Sequence, residues 1–516
     1  MTNVRLAISL TVFLAFLYIS FLQGANYYVA TSYGSDSNNG TSINTPFKTI
    51  GKAASIMSSG DKCYIRQGRY HETITIDDLD GSSGSAIVFT NYNNERVVVD
   101  GTTPITSAWT QVGSSNIWRT KLSADIWQLF INWEEQVMAR WPNAKFSDDT
   151  VWDNDNYWAK GTIDDDENAY TNGTIIDDPY TNSSGTTIDL SATGFDLDEA
   201  NKQAIAILNL GSFKTWSRLV TSHSGNTFNY ATVPTWKTKH HYYYLEGRKE
   251  FLDQEGEWWY DIYNNADSLY YYAANGVNPN RLDFRGKVQS YAFSITGSQY
   301  VQIKNLEFFA TTVYFSNGDN CLVYGCNFMY PSCSKRMLRT VDTEPEMTKF
   351  ASGSSGSSIR NCAFRNTDGI ALEMWGGTDT VDNCYFNKID YSVADNSSIM
   401  LTIRLNGTSN VFRKNTVHRT GASATVMIGD AGLVEYNNLY DTGHLQSDGS
   451  MIQFMEGQQD GAICRYNWLH DTEKYGARFD HSGTADGVNG IMHHNLAWNC
   501  ESGGIMVKGD NHKIYN

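Results

Sequence analysis

From residue 286 onward, short runs of alternating apolar and polar residues recur with an asparagine or glycine between them. The segments VQIKNLEFF (301–309), LVYGCNFMY (322–330), SIRNCAFRN (358–366) and TVDNCYFNK (380–388) each place a phenylalanine three residues after that Asn or Gly: Phe308, Phe328, Phe364 and Phe386. The motif drifts through VEYNNLYDTG (434–443), CRYNWLHDT (464–472) and MHHNLAWN (492–499) to HKIYN (512–516), at a spacing of roughly 20 to 30 residues. One short β run and one Asn-rich turn per unit, at this period, predict an all-β solenoid, a parallel β-helix. Each coil leaves an apolar edge that only the next coil buries, so Val, Ile, Cys and Phe should stack on their counterparts. Asn at the turn tolerates left-handed backbone and can bond the neighbouring coil. A leucine-rich horseshoe would need a Leu spacing that the sequence lacks.

Upstream, YIRQGRYHETITI and AIVFTNY alternate as half-buried strands, and a short amphipathic helix over Ile50–Met57 is placed to cap the open end. Residues 25–120 are read as N-terminal coils and 286–516 as the main run of coils. Between them, 121–285 breaks the rhythm with Trp, Tyr, Asp and Asn and predicts an inserted β-rich subdomain or long loops. HKIYN aligns with the middle of a coil, which suggests that the natural chain runs beyond Asn516 or that another chain covers the edge. At the other end, Arg5, an apolar run Leu6–Leu22 and small residues Gly24 and Ala25 read as a signal peptide over 1–24, against an uncleaved anchor. The expectation is a secreted, extracellular protein, with no membrane association once the signal is removed.

Composition sharpens this picture. Glycine is plentiful at 43, proline scarce at 8, and charged residues reach only 18%, which suits a turn-rich extracellular β protein. A net charge of −17 argues against a nucleic-acid partner, whose affinity would rest on Lys and Arg. Sequons at Asn39, Asn172, Asn182, Asn396 and Asn406 fit secretion. The eight cysteines are too dispersed for a disulfide scaffold, and burial as small apolar residues is at least as good a use for those in repeat positions.

With the repeats in view, the chain resembles the secreted right-handed parallel β-helix proteins that act on polysaccharides, a loose group of lyases, epimerases and glycoside hydrolases. The block YYVATSYGSDSNNGT…TPFKTIGKAASIMSSGDKCYIRQGRYHETI (27–75) is similar to the first coil of many of them. LFINWEEQVMARWPN (129–143) and FLDQEGEWWYDIYNNADSLYYY (251–272) look like the insert of some hydrolase-like members. The resemblance implies a right-handed fold and a polysaccharide or other glycan partner. It carries over no catalytic residue, because neither the Lys/Arg motif of the alginate- and chondroitin-type lyases nor the polygalacturonase pattern is matched.

Candidate chemistry follows from aligning one sheet coil by coil: DGIALEMW (368–375), IMLTIRLN (399–406), ATVMIGD (424–430), SMIQFMEG (450–457), YGARFDHS (475–482) and GIMVKGD (504–510). Alternation sends Ile370, Leu372, Ile403, Ile428, Phe454, Phe479 and Val507 inward, and Glu373, Trp375, Arg404, Gln453, Arg478, Asp480, Lys508 and Asp510 outward. Acids, bases and an aromatic along a solvent-facing groove are what a sugar polymer requires, although any solvated sheet face is polar. Asp480 paired with Asp448 or Glu373 is the first choice for the two carboxylates of a glycosidase, with Glu456 and Asp471 nearby. A lyase or epimerase would instead use Arg404, Arg478 or Lys508 to neutralise a uronate, with His481 or His444 as proton carriers. Trp375, Gln453, His481 and Glu456 are the expected substrate contacts.

Weaker candidates are the Lys335–Arg336–Arg339 cluster, the His493–His494 pair and the insert tryptophans Trp133, Trp141, Trp236, Trp258 and Trp259, the last more often core than sugar platform. Calcium is the one cofactor considered, on the oxygen-rich turns 34–40, 153–156 and 164–167, none with EF-hand spacing. The sequence favours an enzyme that cleaves or epimerises a complex polysaccharide, with a non-catalytic extracellular matrix or carbohydrate-binding scaffold as the alternative.

Overall fold

The computed structural model describes residues 24–516 apart from 162–172, 212, 235–237, 264–266, 397–399, 456 and 482–486. The expected signal peptide up to residue 23, the 164–167 turn, Asn172, Trp236 and Glu456 therefore lie outside the described residues.

Three long parallel sheets wrap one core. Among the described residues the first has 12 strands, from Asn26–Val29 to Lys513–Tyr515. The second has 10, from Gly68–Tyr70 to Leu496–Cys500, and the third 10, from Ile74–Asp77 to Gly503–Val507. Successive coils pair in register, as at Val381↔Phe412, Phe364↔Phe386 and Ile403↔Val426. This is the parallel β-helix expected from the repeats, with the right hand that the resemblance implies.

The repeat phenylalanines stack inside the second sheet. Phe308, Phe328, Phe364 and Phe386 follow one another with centroids 4.6, 4.7 and 4.9 Å apart and planes within 7° of parallel. The turn into this sheet has one left-handed residue per coil: Asn305, Gly325, Asn361, Asn383, then Lys414, Tyr436, Tyr466 and His494. The inward residue that follows it is Leu306, Cys326, Cys362 and Cys384 in the early coils, then Asn415, Asn437, Asn467 and Asn495. These asparagines form a buried ladder: the Asn437 amide nitrogen donates to Asn467 Oδ1 at 2.8 Å, and Asn467 donates to Asn495 Oδ1 at 2.9 Å. Asn437 also donates to the Phe412 carbonyl at 3.0 Å. Cysteine and asparagine thus alternate as solutions for one small interior position. All eight cysteines are free thiols, seven of them buried.

The capping helix spans Ile50–Ala54, its first turn closed by Thr49 accepting from the Lys52 amide, and it drives Ile50, Ala53 and Met57 into the core. Asp36, in the 34–40 turn, accepts from the Lys48 and Thr49 amides at 2.9 and 3.0 Å and so fastens this cap. Val507 continues the inward row but is 41% exposed on the last coil.

Residues between Thr102 and Lys287 build a mixed sheet of 8 strands, in which Glu134–Met138 and Glu257–Asp261 pair in parallel, and an antiparallel sheet of 7. Trp158, Ile205, Ile207 and Tyr244 of this insert pack on Val393, Ala394, Met400, Ala422 and Leu445, at the corner between the second and third sheets. Arg336 pins the junction. It is buried, with Nε 2.9 Å from Glu246 of the insert and NH1 3.0 Å from Asp368 of the coils. The Lys335–Arg336–Arg339 cluster is therefore no solvated cationic site: Lys335 is paired with Glu346 at 3.0 Å, and burial lowers the Arg339 guanidinium. Trp258 and Trp259 are buried in the insert core, Trp141 packs on Phe195 and Tyr243, and Arg69 lies 3.7 Å over the Trp133 ring. Among the described residues, no helix is long and apolar enough to cross a membrane.

Candidate active site

The outward row of the third sheet runs Tyr314, Lys349, Glu373, Arg404, Met427, Gln453, Arg478 and Met506, one residue per coil. The register read from alternation is thus the observed one. Its exposure is not. Glu373 and Gln453 are fully buried, and Arg404 and Arg478 nearly so. Insert residues reach across this edge of the sheet: Thr215 accepts from Gln446 at 3.0 Å, and the Ser217 amide donates to Asp395 at 2.9 Å. Burial lowers the Lys214 ammonium, and the Arg404 charge lowers it further. From Glu373 to Arg478 the row is a buried polar seam, while Tyr314, Lys349 and Met506 toward its ends stay half-buried.

Met427 divides the seam into two groups. In the first, Glu373 takes Arg404 at 2.7 Å, Lys349 at 2.8 Å and the Trp375 indole N–H at 3.0 Å. Trp375 sits at the rim, beside the Lys349 and Arg404 cations at 5.9 and 5.6 Å. Lys349, on strand Thr348–Phe350, escaped the sequence reading because the coil-by-coil alignment began one coil later, at 368–375. The signal was there: TKF has the same alternation as LEM one coil later.

The second group centres on Arg478. Its NH1 lies 2.8 Å from Asp448 Oδ1, its NH2 2.8 Å from Asp480 Oδ2, and its Nε donates to Gln453 at 3.0 Å. Gln453 is turned by Ser450, which donates to its carbonyl oxygen at 2.6 Å, so the amide nitrogen faces Asp480 Oδ2 at 3.0 Å. Lys508 and the His481 backbone N–H both reach Asp480 Oδ1 at 2.9 Å. Every one of these partners donates, so the pocket receives Asp480 as a carboxylate.

Five expected residues, Asp448, Gln453, Arg478, Asp480 and Lys508, are therefore brought together, with His481 alongside through its backbone. The two aspartates share one guanidinium, which holds the bonded oxygens within about 8 Å of each other, two short contacts plus the width of the fork. Glu373 does not join them. Four coils separate it from Arg478, roughly 19 Å at the usual interstrand spacing, so the Asp480–Glu373 pairing fails on distance. Asp471 is bonded to His470 and Asn499 on the second sheet, and His444 to Asp441 at 2.9 Å, both away from the seam. His493 and His494 share a ring–ring contact at 2.7 Å on an exposed turn. Among the described residues, no group of three or more His, Cys, Asp or Glu converges as a metal site.

Residues 350–516 match the family described as "Right handed beta helix region". A solved structure titled "Glycoside hydrolase" superposes with a TM-score of 0.68, covering 95% of this chain and 96% of that one at 12% identity. The complex of XylC with xylose gives a TM-score of 0.48 at 12% identity, over 92% of this chain and 70% of that one. Among curated proteins, the uncharacterized protein YwoF of Bacillus subtilis (strain 168) is 40% identical over 76 residues, 15% of this chain and 16% of that protein. The match thus spans about a sixth of that relative's length, and at these identities the structural likeness establishes the fold, not the reaction.

Proposed function

We propose that the chain is a secreted glycan-active enzyme that hydrolyses glycosidic bonds at the Asp448–Arg478–Asp480 end of the seam. The observation that carries this reading is one guanidinium held between two carboxylates, at a separation compatible with the acid and base or nucleophile of a glycosidase. Asp480, fixed by four donors, is the base or nucleophile. Asp448, the more exposed side chain at 26% against 14%, is the second carboxylate of the pair. Gln453 and Arg478 are positioning residues that keep the Asp480 carboxylate aimed, and Lys508 closes its outer side.

Hydrolysis is favoured over β-elimination because the cations of the outward row and Lys508 already carry carboxylates: Lys349 and Arg404 hold Glu373, Arg478 holds both aspartates and Lys508 holds Asp480. A lyase needs a cation left over to neutralise the uronate. The test is to incubate the secreted full-length protein with a panel of polysaccharides and aryl glycosides, following reducing ends and the ultraviolet absorbance of unsaturated uronates. Reducing ends without absorbance are expected. A rise in absorbance would replace hydrolysis by elimination, and silence on both would favour the non-catalytic scaffold.

A further inference from the structure

A second concavity shares no residue with the seam. It is a cleft of about 550 Å3, within the range of small-ligand sites, opening where strand Glu134–Met138 of the insert faces the coil residues Tyr330, Asn366, Lys388 and Tyr391. Glu135 stands at its floor. Gln128 donates to Glu135 Oε1 at 2.7 Å and the Tyr391 hydroxyl reaches the same oxygen at 3.4 Å. Among the described residues Oε2 takes no hydrogen bond. Phe146 and Trp152 stand edge-on to the Tyr391 ring at 4.8 and 6.5 Å, and the buried Trp152 indole N–H has no hydrogen-bond partner among the described residues. At the rim Lys388 is already neutralised by Asp149 at 2.6 Å.

We propose that this cleft is a second glycan-binding site, taking a short run of uncharged sugar rings beside Trp152 and Phe146 with Glu135 at its floor. Apolar ring edges, an indole donor in want of an acceptor and an unengaged carboxyl oxygen are complementary to a ring that is apolar on its faces and hydroxylated at its rim. An acidic sugar is disfavoured by Glu134 and Glu255, which also line the cleft. That the ligand is a sugar rests on the glycan reading of the seam.

Burial pushes the Glu135 carboxyl up to about 8, with the Asp368 charge raising it and Gln128, Lys287 and Tyr391 opposing. Glu134, Lys145, Lys388 and Glu255 face the cleft, while Tyr330, Tyr391 and Cys333 are held neutral by their own burial. Near neutral pH Glu135 therefore carries its proton and can donate it to a sugar oxygen. Binding should weaken as pH rises through 8.

Calorimetric titration of neutral xylo-, cello- and manno-oligosaccharides into the full-length D480N protein tests this, because the substitution preserves the ligand. W152A in that background is expected to weaken binding at least about tenfold. E135Q, which keeps a neutral donor, should bind at pH 7 and lose the pH dependence; melting curves confirm that both variants fold. Binding that is indifferent to W152A, or equally pH-dependent in E135Q, overturns the site. So does the absence of binding in D480N, and a wild type that still cleaves glycans would then leave the seam reading standing. Binding lost in W152A alongside an inactive wild type would keep the cleft and overturn the seam.

Discussion

Single buried charges decide how the two parts of this molecule hold together. Burial opposes ionisation of Asp368, but the Arg336 guanidinium and donation from Ser334 and Ser392 prevail and hold its carboxyl below the usual range. Asp368→Asn would leave Arg336 buried with half its compensation, and urea unfolding should show a loss of about 3–5 kcal/mol. Glu135 behaves oppositely. Its folded carboxyl titrates near 8 while the unfolded one titrates in the ordinary range. The folded state thus binds the proton more tightly, and stability falls as pH rises from about 4.3 toward 8. Glu135→Gln should remove that slope, leaving the variant more stable than wild type by up to a few kcal/mol at pH 8. A slope unchanged in the variant would reject this assignment. Neither role could be read from sequence. Arg336 was read only within a cationic cluster because its partners Glu246 and Asp368 lie 90 and 32 residues away, and Glu135 lies in the 129–143 block without a residue-level signal of its own.

At the scale of the coil, the sequence was far more informative, because each turn repeats the same demand. An apolar residue, a left-handed turn and a stacked phenylalanine recur wherever a chain must return to the same interior, and Phe364 lies between Phe328 and Phe386 at 4.7 and 4.9 Å. Phe364→Ala should cost about 3–5 kcal/mol, since the flanking rings cannot collapse into the void without breaking the ladder. Asn437→Ala should cost less, about 1–3 kcal/mol, by leaving the buried Asn415 amide and the Phe412 carbonyl short of a partner. The reverse order in denaturant midpoints would mean that the asparagine ladder, not the aromatic stack, governs the coils. The interior asparagines were visible as letters but not in their role. The left-handed position is filled by Lys414, Tyr436 and Tyr466 in these coils, and the asparagine falls on the inward position after it.

For the whole molecule, the β-helix supplies a row and the insert decides what that row becomes. Period-two alternation is local, so the outward register from Glu373 to Arg478 could be read directly. The cover over it could not, because residues 213–217 meet coils about 180 residues later and no sequence period links them. The consequence is chemical: desolvated carboxylates and guanidiniums exert stronger fields than they would on an open face. It also separates two residues that looked alike in the sequence, Glu373 as a junction of buried charges and Asp480 as the carboxylate proposed to react.

The decisive measurement compares kcat/KM of Asp480→Asn, Asp448→Asn and Glu373→Gln with wild type on whichever glycan is cleaved, alongside their melting temperatures. The two aspartate variants should lose on the order of 10²–10⁴ in rate while remaining folded. Glu373→Gln should chiefly lower the melting temperature. Aspartate variants that keep full activity, or a folded Glu373→Gln protein that loses it all, would contradict the placement of catalysis at Arg478.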